Sequence, residues 1–304
     1  AEGVRQAEAK GFKNLMDVYL NAVFCPLAMV DKGVFEQEGW HYELQDGVLT
    51  RSGVVLNEMK GAFTDPDELL VNAMSRALFP DTPYRFVSGG DPDAISSLQY
   101  EAFLDAHRRF YHPSNAFLLL DGRVETDAVF RLLDEYLSQF TAIRPDTVLA
   151  AQAPVCPPQR TIEYPIPAGE SLERRWKLGR GHVIGTYQDV QTIFAAQVLC
   201  DVLCGSNHAP LCRAILEKGL AEDVSLGCDD QCMQPVLLLQ VQNFREADLP
   251  AIEATIRDTL TALCETGLDR EQIRASLASV EFVEASVEVS SGDGSSSCED
   301  SCSI

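Results

Sequence analysis

The residues able to do bond-breaking chemistry are few. The chain has five histidines, His41, His107, His112, His182 and His208. His107 and His112 are five apart, which sends them to different faces of a helix, and Pro113 ends that helix anyway. No HExxH, HxxEH or Gly-x-Ser-x-Gly string occurs, and no phosphate-binding glycine loop. The ten cysteines never fall as CxxC. Cys200/Cys204, Cys228/Cys232 and Cys298/Cys302 each have three residues between them and complete no zinc pattern. Cys25, Cys200, Cys212 and Cys264 lie among apolar residues and read as reduced core thiols, which favours a reducing compartment. Cys298 and Cys302 read as a solvated free pair. Spacing alone yields no complete active site.

One carboxylate stands out. Glu58 sits in Val54-Val55-Leu56-Asn57-Glu58-Met59-Lys60-Gly61, a mostly apolar stretch in which a buried acid needs a cation or donors. On these residues alone it reads as a partly exposed helix acid paired with Lys60 or solvent. Gly89-Gly90-Asp91-Pro92 reads as a structural turn opening a helix. His112 is expected to hydrogen-bond backbone beside Pro113, and Trp40 and Trp176 to be core or interface aromatics.

The elements that must position these residues follow from periodicity. Phe12, Leu15, Met16, Tyr19 and Val23 recur at helical spacing, closed by Pro26. Residues 40–51 alternate around Asp46-Gly47, a hairpin signal, and 53–61 read as a short helix. Asp65-Pro66-Asp67-Glu68 opens a helix to Leu78. Further helices are expected at 97–110 and 125–140, with a buried strand at Phe117–Leu120 ending in an Asp121-Gly122 turn. Residues 145–160 hold four of the 15 prolines and read as an interdomain linker. Beyond it come strands at 161–166 and 172–179, a helix at 189–203, and a helix from Ser206, its cap, to Lys218. Strands at 222–228 and 235–242 and a helix from Asp248 to Thr266 follow. The last helix opens at Asp269 with Gln272 as capping-box partner. Mixed order without strict alternation gives class α+β, with helices packed on one face of each sheet. Residues 285–304, rich in Ser, Gly and Glu, read as a disordered tail.

Composition bounds the function classes. The 304 residues carry 46 Asp+Glu against 24 Lys+Arg, a net charge of −22, with 46% hydrophobic residues. Such a surface repels phosphate backbones and anionic lipid, so no nucleic-acid or membrane partner is expected, while a basic peptide is tolerated. No run approaches the roughly 18 apolar residues of a membrane span. No signal-peptide pattern opens the chain, which begins without Met, and the expected location is cytoplasmic with an organelle left open.

Several strings resemble one family in its own order: Phe12-Lys13-Asn14-Leu15-Met16-Asp17-Val18-Tyr19-Leu20, then Gln37-Glu38-Gly39-Trp40-His41-Tyr42-Glu43, then Asn57-Glu58-Met59-Lys60-Gly61. Val87-Ser88-Gly89-Gly90-Asp91-Pro92 and Tyr111-His112-Pro113-Ser114-Asn115 continue the match, with looser likeness at Asn207-His208-Ala209-Pro210-Leu211 and Glu217-Lys218-Gly219-Leu220. Together they resemble the presequence protease branch of the pitrilysin/insulinase zinc peptidases. The resemblance implies two pitrilysin-like α+β domains: 1–144, incomplete at its start, and 161–284, joined by 145–160 and followed by the 285–304 tail. It implies that Glu58 matches the distal zinc ligand, the other two ligands and the general base lying on an HxxEH helix that precedes the matched region. The implied cofactor is Zn2+, not tightly held by this chain alone, and the implied function is part of a zinc endopeptidase acting on short unstructured peptides. The alternative is an inactive, truncated scaffold or binding subunit of the same fold. The text after Phe282 departs from the family and reads as a shifted or early ending.

Overall fold

The computed structural model describes residues 2–120 and 124–292. In chain order the regular elements are α1 (Glu2–Phe24), α2 (Lys32–Glu38), β1 (His41–Gln45), β2 (Val48–Ser52), α3 (Val54–Ala62) and α4 (Pro66–Leu78). Then come α5 (Pro92–Ile95), α6 (Tyr100–Phe110), α7 (Thr126–Leu137), β3 (Trp176–Val183), α8 (Val190–Cys204) and α9 (Pro210–Leu216). The chain closes with β4 (Asp223–Asp229), β5 (Val236–Phe244), α10 (Leu249–Thr266) and α11 (Arg270–Gly292). They divide into two units, residues 1–61 with 89–149, and 62–88 with 150–304.

In the first unit, α1 and α7 bury Leu20, Phe24, Val129, Leu132 and Leu133 against one another. Tyr136 closes the contact by donating its hydroxyl to Asp17 Oδ1 at 2.7 Å. β1 and β2 form an antiparallel hairpin in the register His41↔Ser52 to Gln45↔Val48. Asp46 and Gly47 have φ of 49° and 81°, the paired positive values that a two-residue hairpin turn matched to strand twist requires. The Gly90 turn is as expected: Gly90 has φ 94°, Asp91 accepts from the Asp93 amide at 3.0 Å, and Pro92 opens α5.

The second unit is built on a three-stranded antiparallel sheet ordered β3-β5-β4. Leu239 and Val241 of β5, with Leu211, Ile215, Ile252 and Ile256 from α9 and α10, make the larger core. Strand alternation puts Leu238 on the opposite face, and there α4 lies down. Gly179 and Gly181 allow the approach: a Cβ on Gly179 would stand 2.6 Å from Met74 Sδ, and one on Gly181 2.5 Å from Leu78 Cδ1. Residues 62–88, grouped with the first domain in the sequence reading, therefore pack with the second unit. Lys177 reinforces this contact, donating to Asp67 Oδ1 at 2.6 Å and Gln242 Oε1 at 2.8 Å.

Several expectations need correction. Phe117–Leu120 is no strand; Phe117 and Leu119 are 92% and 83% exposed, and no strand among the described residues pairs with them. The Asp121-Gly122 turn lies outside the described residues. Residues 161–166 take no regular structure. Within 145–160, Gln152 is buried and exchanges hydrogen bonds with Gln234 (2.6 and 3.1 Å) and Asp81 (2.9 Å each way), so this segment is fastened at one point. α9 starts at Pro210 with Ala209 as its cap residue, not at Ser206, because Pro at the first helical position needs no amide partner. Asp269 does cap α11, accepting from the Glu271 amide at 2.9 Å, but Gln272 reaches instead to the Val202 carbonyl at 2.8 Å. The helix continues through 285–292, where a disordered tail was expected; the rest of that segment, with Cys298 and Cys302, lies outside the described residues. Cys200 and Cys212 are buried as expected, whereas Cys25, just past the end of α1, and Cys264, in α10, are exposed.

Candidate functional site

Glu58 is placed by a helix whose start is fixed by backbone contact. A Cβ on Gly53 would meet Gly39 O at 2.2 Å and Trp40 Cα at 2.8 Å, so only glycine lets the chain enter α3 against the segment leading into β1. Gly53 O then accepts from the Asn57 amide at 2.9 Å. Leu56 and Met59 are the buried residues of α3, and Met59 lies against Gly89, where a Cβ would stand 2.2 Å from its Sδ. With positions 56 and 59 turned inward, position 58 points outward, since neighbours on a helix are about 100° apart. Glu58 is exposed.

Of the two expected partners, Lys60 or solvent, Glu58 meets solvent. Lys60 Nζ donates to the Arg51 carbonyl at 3.2 Å, tying α3 to the hairpin. Arg51 in turn donates to Ser96 Oγ at 3.1 Å. The Glu58 carboxylate is left to solvent, available as a monodentate or bidentate oxygen donor.

The histidines do not gather around it. His112 accepts the Ser114 amide at 3.1 Å on Nδ1 and begins a short turn at Pro113, as expected for a structural role. His107 bonds the Val23 carbonyl through Nε2 at 2.9 Å and stacks on Tyr111 at 5.0 Å. His41 bonds the Glu36 carbonyl through Nδ1 at 2.8 Å. Among the described residues no three His, Cys, Asp or Glu side chains stand close enough to hold a metal. Zinc needs three or four protein donors, so Glu58 suits one position of such a set and the described residues do not complete one. Trp40, expected to be a core or interface aromatic, is half-buried and donates its indole N–H to the Leu98 carbonyl at 2.9 Å. Trp176 packs on the larger core of the second unit.

A family profile described as peptidase M16 inactive domain matches residues 97–280. The chain belongs to the peptidase M16 family. The chain is 37% identical over 286 residues to presequence protease 1, chloroplastic/mitochondrial, of Arabidopsis thaliana, covering 92% of this chain and 26% of the relative. It is 36% identical over 283 residues to Protein HypA of Clostridium perfringens, with 92% and 29% covered. The mitochondrial presequence protease of Danio rerio is 30% identical over 292 residues, with 90% and 28% covered. The chain thus spans between a quarter and a third of the length of these M16 relatives. A putative M16-like peptidase from Alicyclobacillus acidocaldarius shares the fold with TM-score 0.54 at 19% identity, over 77% of this chain and 55% of that one. Pitrilysin does so with TM-score 0.52 at 16% identity, over 87% and 27%. The mixed helical and antiparallel architecture of this M16 chain is the α+β class expected from its sequence. No single described helix is long and apolar enough to cross a membrane.

Proposed function

We propose that this M16 chain contributes one wall and one oxygen ligand, Glu58, to a zinc-dependent endopeptidase acting on short unstructured peptides. The observation that carries the reading is the placement of Glu58. It stands exposed and without an ion pair on a helix locked by Gly53 and by the Met59–Gly89 contact, at the position where the resemblance expects a distal ligand. The names of the relatives, presequence proteases, support peptide hydrolysis as the activity of the longer proteins. The remaining zinc donors and the general base come, on this reading, from an HxxEH segment outside these 304 residues. The net charge of −22 suits basic peptides. The free state of the described cysteines suits a reducing compartment, cytoplasm or organelle matrix.

A second reading, a non-catalytic binding or scaffold subunit, is favoured by the lack of a three-residue metal group among the described residues and by the matched inactive-domain profile. Elemental analysis and cleavage of a fluorogenic peptide separate the two. The chain alone is expected to carry no stoichiometric zinc and give no turnover. Mixed with a segment bearing HxxEH, it is expected to give chelator-sensitive turnover that Glu58→Gln abolishes. Turnover indifferent to chelator and to that substitution would overturn the endopeptidase reading, and no turnover from a stable, zinc-loaded mixture would favour the scaffold.

A further inference from the structure

The first unit contains a cavity of about 450 Å3, within the range of small-ligand sites, walled by the start of β1, one face of α2 and the first turn of α6. Its lining includes the rings of Phe35, Trp40, Tyr42 and Tyr100. Trp40 and Tyr42 meet edge to face, their ring centroids 5.5 Å apart at 81°, and the Trp40 indole is fixed by its bond to Leu98. Behind them Phe35 packs on Tyr100 at 5.5 Å, and Tyr100 is anchored by donating to the Ala28 carbonyl at 2.8 Å. The Trp40 and Tyr100 rings are held before any ligand arrives.

The charged groups of the cavity are two carboxylates, Glu36 and Glu101, and one ammonium, Lys32. Lys32 pairs with Glu36 at 2.9 Å and also lies in the field of Glu101, so these three charges leave the cavity a net −1. Glu101 lies in the first turn of α6, where the helix dipole favours a carboxylate. His41 must carry a proton on Nδ1, because the Glu36 carbonyl it contacts can only accept. In the neutral ring Nε2 is then an acceptor. Aromatic faces, a surplus carboxylate and an imidazole acceptor together suit a flat, delocalised cation better than an anion or an apolar group.

We propose that this cavity binds the guanidinium of an arginine side chain, stacked on one of the two rings, Trp40 or Tyr42, and meeting the other edge-on, with its N–H groups directed to Glu101 and His41. The proposal deepens the peptide reading by naming a side chain. It rests on that reading only for the claim that the arginine belongs to a peptide, because binding is measured without cleavage or metal.

The chain has two tryptophans, one in each unit, so Trp176→Phe leaves Trp40 as the reporter. Its emission is followed while the full chain is titrated with Nα-acetyl-arginine N-methylamide, and with the citrulline and lysine counterparts. Citrulline keeps the shape and removes the charge. The expected result is saturable binding of the arginine compound, about tenfold tighter than citrulline and tighter than lysine, weakened about fivefold or more in Glu101→Gln and in Tyr42→Ala. Both variants alter exposed side chains, and isothermal calorimetry on the unsubstituted chain guards against damage from Trp176→Phe. Equal binding of citrulline overturns the proposal, as does wild-type binding in both variants or no binding at tens of millimolar. A lysine preference overturns the guanidinium assignment. Failure of peptide cleavage in the separate turnover assay would leave this result unchanged.

Discussion

Gly53→Ala is expected to be among the most damaging single-methyl changes in the first unit. The added Cβ would stand 2.2 Å from Gly39 O, 2.7 Å from Gly39 C and 2.8 Å from Trp40 Cα. All three are backbone atoms, so no rotamer change relieves the clash, and ordinary contact needs roughly another angstrom of separation. Either α3 moves out or the strand entry moves back, and both carry Glu58 and Trp40 with them. Overpacking of a fixed interior costs about 1–3 kcal/mol and occasionally more, and a clash with backbone alone belongs at the upper end. A loss of about 3 kcal/mol lowers a urea midpoint by roughly 1–3 M for a typical slope. The assay is urea unfolding of the Trp176→Phe chain followed by Trp40 emission, which reports the unit that contains the change. Gly61→Ala, in the same helix with nothing within 4 Å of the added Cβ, is the control. It is expected to stabilise by about 0.4–1 kcal/mol by removing freedom from the unfolded chain. A Gly53→Ala midpoint within error of the parent would refute the contact, and with it the account of how α3 is aimed.

Three further outcomes follow from the second unit. Gly181→Ala drives a methyl to 2.5 Å from Leu78 Cδ1, a buried side chain, and should cost about 1–3 kcal/mol in a melt followed by Trp176 emission. Burial pushes the Cys200 thiol up to about 11, so at pH 8 on the order of a thousandth is thiolate, and Cys200 should alkylate far more slowly than exposed Cys264 in a time-resolved mass-spectrometric assay. Comparable rates would contradict the burial. Asp189 caps α8, accepting the Thr192 hydroxyl at 2.7 Å and its amide at 3.2 Å, and these bonds hold its carboxyl below the ordinary 3.8. Its contribution to stability is therefore present above that value and lost as pH falls through the lower folded value, which a carboxyl NMR titration of native and Thr192→Ala chains would check.

The sequence was legible where one local signal decided the conformation. Asp46-Gly47 forces a two-residue turn whatever surrounds it, Pro66 and Pro92 open helices because they lack an amide N–H, and the apolar run at 235–242 and the amphipathic stretch at 249–266 are long enough to commit. It misled where tertiary partners decide. Phe117–Leu120 has strand composition, yet a strand exists only through a neighbour, and none of the described residues pairs with it. Residues 62–88 carry no mark in their own pattern that they belong on β3. That mark lies more than a hundred residues away, in the bare face offered by Gly179 and Gly181. Gln272 satisfied a capping pattern but found the Val202 carbonyl instead. Glu58 could be singled out by its apolar setting, but its lack of an ion pair depended on Lys60 choosing the Arg51 carbonyl, which spacing does not reveal. The aromatic cavity was half visible in Gly39-Trp40-His41-Tyr42, and its other wall comes from residues 98–101.

The central claim is that Glu58 is a zinc ligand in an M16 peptidase site completed by another segment. The most direct measurement is zinc affinity, by competition with a chromogenic chelator, for this chain joined to a segment bearing HxxEH, with Glu58 and with Glu58→Gln. The account predicts one zinc per complex and a loss on substitution greater than the about 10–100-fold that removing an outer-shell partner costs. Equal zinc affinity for the two forms, with the complex intact in both, would contradict it.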